Sequence, residues 1–352
     1  LNDLFACPGL TQTRKLLTNF SKNSFYLLPE PLRLGYFLTN CCRNMTIQQL
    51  EYILAVDQCR HFAKAAEFCR VTQPTLSMMI QKLEDELGIK LFDRSVQPVK
   101  PTAAGVKVIA QARSVLHQAA LIKDIVKEEE QSLKGAFRLA VLPTIAPYLL
   151  PRFLQHLAEQ HKELDIRIQE MQTAPTLAAL QNGEIDAAII ANEPLESNLE
   201  GTLLFYEEFF CYVSKKEAVY RKNLIRTADI SDERLWLLDE GHCFRDQLMR
   251  FCQREQVKLH QAAYHLGSLE TFMHMVESGY GMTFIPELAT LQLCPEQKDL
   301  VRTFAIPRPT REIYFVTRKD FVRFALSKLL IEHIRESVPK EMLNLKAGQK
   351  LV

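Results

Sequence analysis

The chain has 352 residues, a formal net charge of +1, 47% hydrophobic and 24% charged residues, which is enough length for two or three cores and no global reason to bind nucleic acid, so any such binding rests on local placement of Lys and Arg. No apolar run approaches the roughly 18 residues that a membrane span needs, so a membrane role is excluded. Nine cysteines at irregular spacing, without a repeated CxxC, exclude a disulfide scaffold and a zinc finger.

Residues 1–44 carry Pro8, Pro29, Pro31 and scattered Leu and Phe with no sustained period, which predicts a poorly ordered arm. Met45 opens the first strongly patterned segment, and we expect translation to begin there and the arm to be non-native. The arm lacks a basic start followed by an apolar stretch and a small-residue cleavage site. A reducing cytoplasmic compartment with free thiols is therefore expected.

From Ile47 to Gln58 the apolar positions Ile47, Leu50, Ile53, Leu54 and Ala55 share one helical face, and a second helix is predicted from Phe62 to Cys69. After the turn Arg70-Val71-Thr72-Gln73, Pro74 suits a first helical turn, so Thr72 or Gln73 caps a third helix reaching Leu87. Its predicted buried stripe is Leu76, Ile80, Leu83 and Leu87. Helix, short turn, helix over about 62–81 is the helix-turn-helix arrangement, with the small pair Ala65-Ala66 permitting close approach. The outer face then offers Gln73, Pro74, Thr75, Ser77, Gln81 and Lys82 to base edges and backbone, while Arg94 and Lys100 suit phosphates. Gly88 ends the helix, and Lys90 to Lys100, closed by Pro98 and Pro101, reads as a two-stranded wing. Pattern alone does not separate this from an amphipathic helix pair of another all-helical protein. Seven Lys or Arg against seven Asp or Glu between Met45 and Thr102 argue mildly against DNA.

The runs Phe62-Ala63-Lys64-Ala65-Ala66, Val71-Thr72-Gln73-Pro74-Thr75-Leu76-Ser77, Leu83-Glu84-Asp85-Glu86-Leu87-Gly88 and Leu91-Phe92-Asp93-Arg94 closely resemble the winged N-terminal domain of LysR-type regulators. The resemblance implies a DNA-binding domain over 45–102 acting on double-stranded promoter DNA. Gln81 departs from the Arg or Lys usual there, which weakens the case for a direct contact from that position.

Beyond Thr102 a long helix is predicted to about Gln131, with Val108, Ala112, Val115, Ala119, Ile122 and Val126 spaced as a coiled-coil seam. A lone helix of this kind has nothing of its own to bury against, so residues 103–133 are expected to link and dimerise; packing on the same chain is the alternative. From Gly135 short apolar runs alternate with helical ones. Strands are predicted at Phe137–Leu142, Asp165–Met171, Ile185–Ile190, Glu208–Val213, Leu235–Leu238, Met282–Ile285 and Ile313–Val316. Helices are predicted at Tyr148–Gln160, Pro175–Gln181, Ser268–Ser278 and Phe324–Ser337. The expected fold class is α plus α/β, with mainly parallel sheets in a regulatory domain over 135–340 and a tail over 341–352. The LysR resemblance implies two lobes of the periplasmic-binding-protein type around a cleft.

The stretch Leu238 to Cys252 places two cysteines nine residues apart around a helix-forming segment. A helix over 244–256 would put Cys243 at its positive end beside His242 and Arg245, each of which favours the thiolate. A thiolate attacked by peroxide becomes a sulfenic acid that condenses with a second thiol, for which Cys252 is the nearest choice. Nine helical residues rise about 13.5 Å, whereas bonded cysteines have Cα atoms at most about 7 Å apart, so the bond requires the helix to unfold. Spacing alone equally allows two small buried hydrophobes.

The motif Leu238-Asp239-Glu240-Gly241-His242-Cys243, followed by Arg245-Asp246-Gln247 and Phe251-Cys252, is similar to the redox motif of the peroxide-sensing members of the LysR family. That resemblance implies a hydrogen-peroxide-sensing activator of oxidative-stress genes, switched by a reversible Cys243 to Cys252 disulfide. Cys243 is implied to be the peroxide-reactive cysteine and Cys252 the resolving one, with Thr144, Thr173, His242 and Arg311 around the peroxide. It further implies a homodimer through the linker helix, a homotetramer, and RNA polymerase as a partner. No cofactor, metal or enzymatic turnover is expected. The competing readings are a LysR regulator whose cleft binds a small metabolite, a thiol peroxidase and a detached solute-binding protein; the missing second motif disfavours the peroxidase and the helix-turn-helix disfavours the last.

Overall fold

The computed structural model describes residues 45–129, 133–230, 234–238, 243–252 and 268–352, so the arm over 1–44 and His242 lie outside the described residues. The chain divides between Leu116 and His117 into two compact units.

In the first unit, α1 (Ile47–Cys59) starts at a capping box: the Thr46 hydroxyl accepts from the Gln49 N–H, and the Gln49 carboxamide accepts from the Thr46 N–H at 2.8 Å. Helix α2 (Phe62–Phe68) follows, with Ala65 and Ala66 buried, and then α3 (Gln73–Leu87). Thr72 is the cap of α3, its hydroxyl accepting from the Thr75 N–H, and Gln73 is already helical. Leu76, Ile80 and Leu83 are fully buried as predicted, but Leu87 is 40% exposed and Glu84 takes the interior place. The Glu84 carboxylate accepts from the Leu91 and Phe92 N–H groups at 2.8 and 3.4 Å and pairs with Lys90 and Arg94. A buried charge is tolerable there because every lone pair is used. Strands β1 (Phe92–Asp93) and β2 (Lys100–Pro101) form the antiparallel wing.

Helix α4 (Ala103–Glu129) begins against that wing. Gly105 approaches so closely that a Cβ would lie 2.0 Å from the Leu91 carbonyl oxygen, which only glycine permits. Of the predicted seam, Val108 and Ala112 pack into the core of the first unit, while Val115, Ile122 and Val126 are exposed.

The second unit continues with β3 (Gly135–Val141), α5 (Ala146–Gln160), β4 (Leu164–Glu170), α6 (Thr173–Gln181), β5 (Ala187–Ile190), β6 (Leu199–Val213) and β7 (Leu224–Ile225). Then come α7 (Cys243–Phe251), α8 (Leu269–Glu277), β8 (Met282–Pro286), α9 (Glu287–Thr290), α10 (Pro295–Lys298), β9 (Val301–Phe304), β10 (Arg308–Arg318), α11 (Phe324–Ser337) and β11 (Gln349–Leu351).

The sheet is mixed rather than mainly parallel. Strand β3 pairs in parallel with β4 and β5, but the long strands β6 and β10 run antiparallel to each other, and β8 and β9 are antiparallel to β6. The first part of β6 pairs with β10 and its end, from Phe209, pairs with β8, so one continuous strand serves both lobes. Leu235–Leu238 is no strand; it contributes a single bridge from Leu235 to Met282. The closing segment, expected as a tail, supplies β11, which pairs in parallel with β10 at Arg308–Thr310. Among the described residues no helix is long and apolar enough to cross a membrane.

Candidate functional site: a cysteine pocket beside a buried arginine

The turn after β3, the start of α6 and the start of α7 converge on one narrow pocket lined by Leu142, Pro143, Thr144, Gln172, Thr173, Cys243 and Phe244. Three of the predicted site residues, Thr144, Thr173 and Cys243, therefore share one wall-to-wall space. Behind it lies Arg311 on β10, 1% exposed. Its Nη1 donates to Thr144 Oγ1 and its Nη2 to the Thr144 carbonyl, both at 3.1 Å. The other edge of the guanidinium is held by Glu207 on β6, with Nε and Nη2 at 2.9 and 2.7 Å from Oε2. The rings of Phe209 and Phe244 lie 5.6 and 5.1 Å from its centre.

Cys243 is the first residue of α7 and half-buried, and its thiol is free. Burial pushes its pKa up; the Thr173 hydroxyl, the Arg311 guanidinium and the Phe244 N–H pull it back, and Asp246 adds to the rise. The net direction is upward. This corrects the expectation that the helix end and Arg245 leave the thiolate favoured: Arg245 is turned to the Leu238 carbonyl, at 3.4 Å, and among the described residues the cation acting on the sulfur is Arg311. The buried Thr173 hydroxyl makes no hydrogen bond to nitrogen or oxygen among the described residues, and it draws the Cys243 thiol down.

Helix α7 carries Asp246 near its start and Arg250 near its end, charges that suit its dipole. It is pinned by fully buried Phe244 and Leu248, and by Gln247, whose amide donates to the Ala191 carbonyl and Asn192 Oδ1 at 2.8 and 2.6 Å. At its far end Phe251 packs edge-on to Phe304, with 5.6 Å between centroids. Cys252 follows, half-buried, free, and pushed up to about 11 by burial. Nine residues make about 2.5 helical turns, so the two sulfurs lie on opposite sides of α7 as well as at opposite ends. The structure does not bring Cys252 to the pocket.

In the first unit the exposed side of α3 presents Gln73, Pro74, Thr75, Gln81 and Lys82, with Ser77 half-buried and Lys100 exposed on the wing. Met78, 63% exposed, belongs to the same face and was not anticipated. Arg94 is exposed but already engaged: it donates to Ser77 Oγ at 3.0 Å, pairs with Glu84 and lies 4.8 Å over the Phe62 ring.

Glu207 is the site residue that sequence reasoning missed. It stands directly opposite Arg311 in the β6–β10 register, and its Oε1 accepts from the Leu288 N–H at 3.1 Å. The signal available was the pair Glu207-Glu208 inside an otherwise apolar strand run.

Two family models match the chain: the bacterial regulatory helix-turn-helix protein of the lysR family over residues 47–106, and the LysR substrate binding domain over 130–339. Among curated proteins it is 35% identical to the DNA-binding transcriptional dual regulator OxyR of Escherichia coli over 294 residues, covering 83% of this chain and 95% of that one. It is 33% identical to a hydrogen peroxide-inducible genes activator of Dickeya chrysanthemi, covering 86% of this chain and 99% of that protein. Among solved structures, a full-length OxyR variant from Pseudomonas aeruginosa is similar at 35% identity and a TM-score of 0.68, over 83% of this chain and 98% of that chain. OxyR from Porphyromonas gingivalis is 51% identical with a TM-score of 0.59, over 62% of this chain and 99% of that chain.

Proposed function

Because the chain belongs to the LysR family of bacterial helix-turn-helix regulators, we propose that it is a cytoplasmic, hydrogen-peroxide-responsive transcription activator whose signal is a reversible Cys243 to Cys252 disulfide. The observation that carries this reading is the pocket itself: a half-buried free cysteine at a helix start, facing two threonines and backed by a buried arginine. It is a regulator rather than an enzyme.

Peroxide fits such a pocket as a small donor and acceptor. The Thr144 and Thr173 hydroxyls hold its oxygens, and Arg311 favours the thiolate that attacks. The Cys243 sulfur takes one oxygen to become a sulfenic acid, and water leaves with the other. Cys252 then attacks that sulfur, releasing a second water as the disulfide forms. His242 adds a further donor in this reading.

On the DNA side, Gln73, Pro74, Thr75, Ser77, Gln81 and Lys82 meet bases and backbone, while Lys100 and, once released from Ser77, Arg94 meet phosphate. The exposed Val115, Ile122 and Val126 on α4 are the natural seam for a second copy, and a dimer offers two recognition helices to two half-sites. A homotetramer contacting RNA polymerase completes the proposal.

The test is disulfide mapping by mass spectrometry after the fully reduced protein meets near-stoichiometric peroxide, with Cys243→Ser as control. A rapid Cys243 to Cys252 link that the variant lacks is expected. Two free thiols after exposure would sink the reading in favour of a metabolite-responsive regulator.

A further inference from the structure

Among the described residues, every polar contact of Arg311 on the side away from the pocket ends on one residue that the redox chemistry does not touch. Glu207 and Arg311 are cross-strand partners on β6 and β10, both fully buried, and the carboxylate meets the Nε and Nη2 edge of the guanidinium. Oε1 is anchored separately by the Leu288 N–H at the start of α9. The guanidinium thus has one permitted orientation, with Nη1 and Nη2 on Thr144 at the pocket wall.

An ion pair this close has almost no net charge when felt from outside it, and in a dry interior that matters more than in water. Resting on the peroxide-sensor reading above, we propose that Glu207 is a positioning residue that sets the reactivity of Cys243: it orients Arg311 toward Thr144 and the sulfur, and cancels most of the positive charge that the sulfur would otherwise face. Burial raises the thiol, and a weakened opposing pull from Arg311 leaves the cysteine mainly protonated at rest. An Arg311 without that counter-charge would draw the thiol down and leave it more open to electrophiles.

Among the described residues, the charged and titratable groups around this arrangement are few. Thr173 faces the sulfur from α6, Asp246 from α7 itself, and Arg311 from β10. Tyr148 on α5 and Glu270 on α8 lie near the Arg311–Glu207 pair. Glu208 and Glu287 stand beyond it, paired with Arg308 and Lys346. None of the remaining acids bonds the Arg311 guanidinium among the described residues, so Glu207 is the group to change.

The experiment is the pH profile of iodoacetamide alkylation of the reduced full-length chain, read cysteine by cysteine by peptide mass spectrometry. Glu207→Gln keeps an oxygen for Nε and Nη2 but removes the charge. Its Cys243 midpoint should fall by about one pH unit, giving roughly tenfold faster alkylation at neutral pH. Glu207→Asp keeps the carboxylate but draws it back by one methylene, and should give an intermediate shift. Cys211, fully buried on β6, should stay unreactive in both and so certifies that each variant is folded. Should the Gln variant not fold, the Asp variant carries the comparison. An unchanged or raised Cys243 midpoint in the folded variants overturns the proposal. The profile uses no peroxide, so its outcome is independent of whether the disulfide forms.

Discussion

Burial alone raises the Cys252 thiol from an ordinary 9.0 to about 11. Protonation is therefore favoured more in the folded chain than in the unfolded one, so the associated stability is complete below pH 9 and disappears as pH climbs to 11. A rise of that size corresponds to about 2.7 kcal/mol, and half-burial of the side chain brings the expected loss nearer about 1–2 kcal/mol. Urea unfolding at pH 8.5 and pH 11, compared between the parent chain and Cys252→Ala, should show that much extra alkaline destabilisation in the parent. Equal pH dependence of the two chains would mean that the thiol is not held by burial. Arg311 teaches a different lesson about legibility at this scale. Its place near the cysteine was available only through family resemblance, because no local pattern joins residues 243 and 311; the β6–β10 register that sets it opposite Glu207 is a long-range pairing.

Helix α7 must be taken apart before its two cysteines can meet. Unwinding withdraws Phe244 and Leu248 from the core and breaks both Gln247 bonds. Each large apolar side chain lost from the interior costs about 1.5–3 kcal/mol, offset by the new covalent bond and whatever repacking follows. Hydrogen exchange should therefore report faster exchange at residues 246–251 after peroxide treatment, with β3 and β5 unchanged; persistent protection of α7 in a chain shown to hold the disulfide would refute the unwinding. Elements of this kind were readable from sequence where one face decides them. The spacing of Leu76, Ile80 and Leu83 fixed α3, and the alternation over Phe137 to Leu142 located β3 to within two residues. The failures have physical causes. A heptad-like stripe extends to Leu87 on paper, but a carboxylate three residues earlier satisfies the wing's backbone N–H groups and takes the interior instead. Strand β6 was expected from Glu208 only, whereas it runs from Leu199, with Glu207 and Glu208 both buried against arginine partners. The short strands β7, β9 and β11 carry too little pattern to be seen.

For the whole molecule, α4 leaves Ile122, Ile125 and Val126 about half to two-thirds exposed, an apolar stripe that water does not stabilise. In the proposed dimer a second copy covers it. Ile122→Asp should then shift sedimentation from dimer toward monomer and weaken binding to operator DNA by more than tenfold, because two half-sites would no longer be engaged together. A dimer of unchanged strength would place the interface elsewhere. Mainly parallel order was expected from strand and helix alternation, but the two longest strands, β6 and β10, run antiparallel and set the mixed order of the sheet.

The half-turn offset of Cys243 and Cys252 around α7 also separates two clocks in the proposed switch. Oxidation of the first sulfur scales with the dose of peroxide, whereas closure waits on spontaneous opening of a pinned helix and is indifferent to dose. A brief pulse therefore leaves sulfenic acid that any small cellular thiol can intercept and erase, and only exposure outlasting the opening time is written into the fold. The geometry makes the regulator an integrator with a threshold in time.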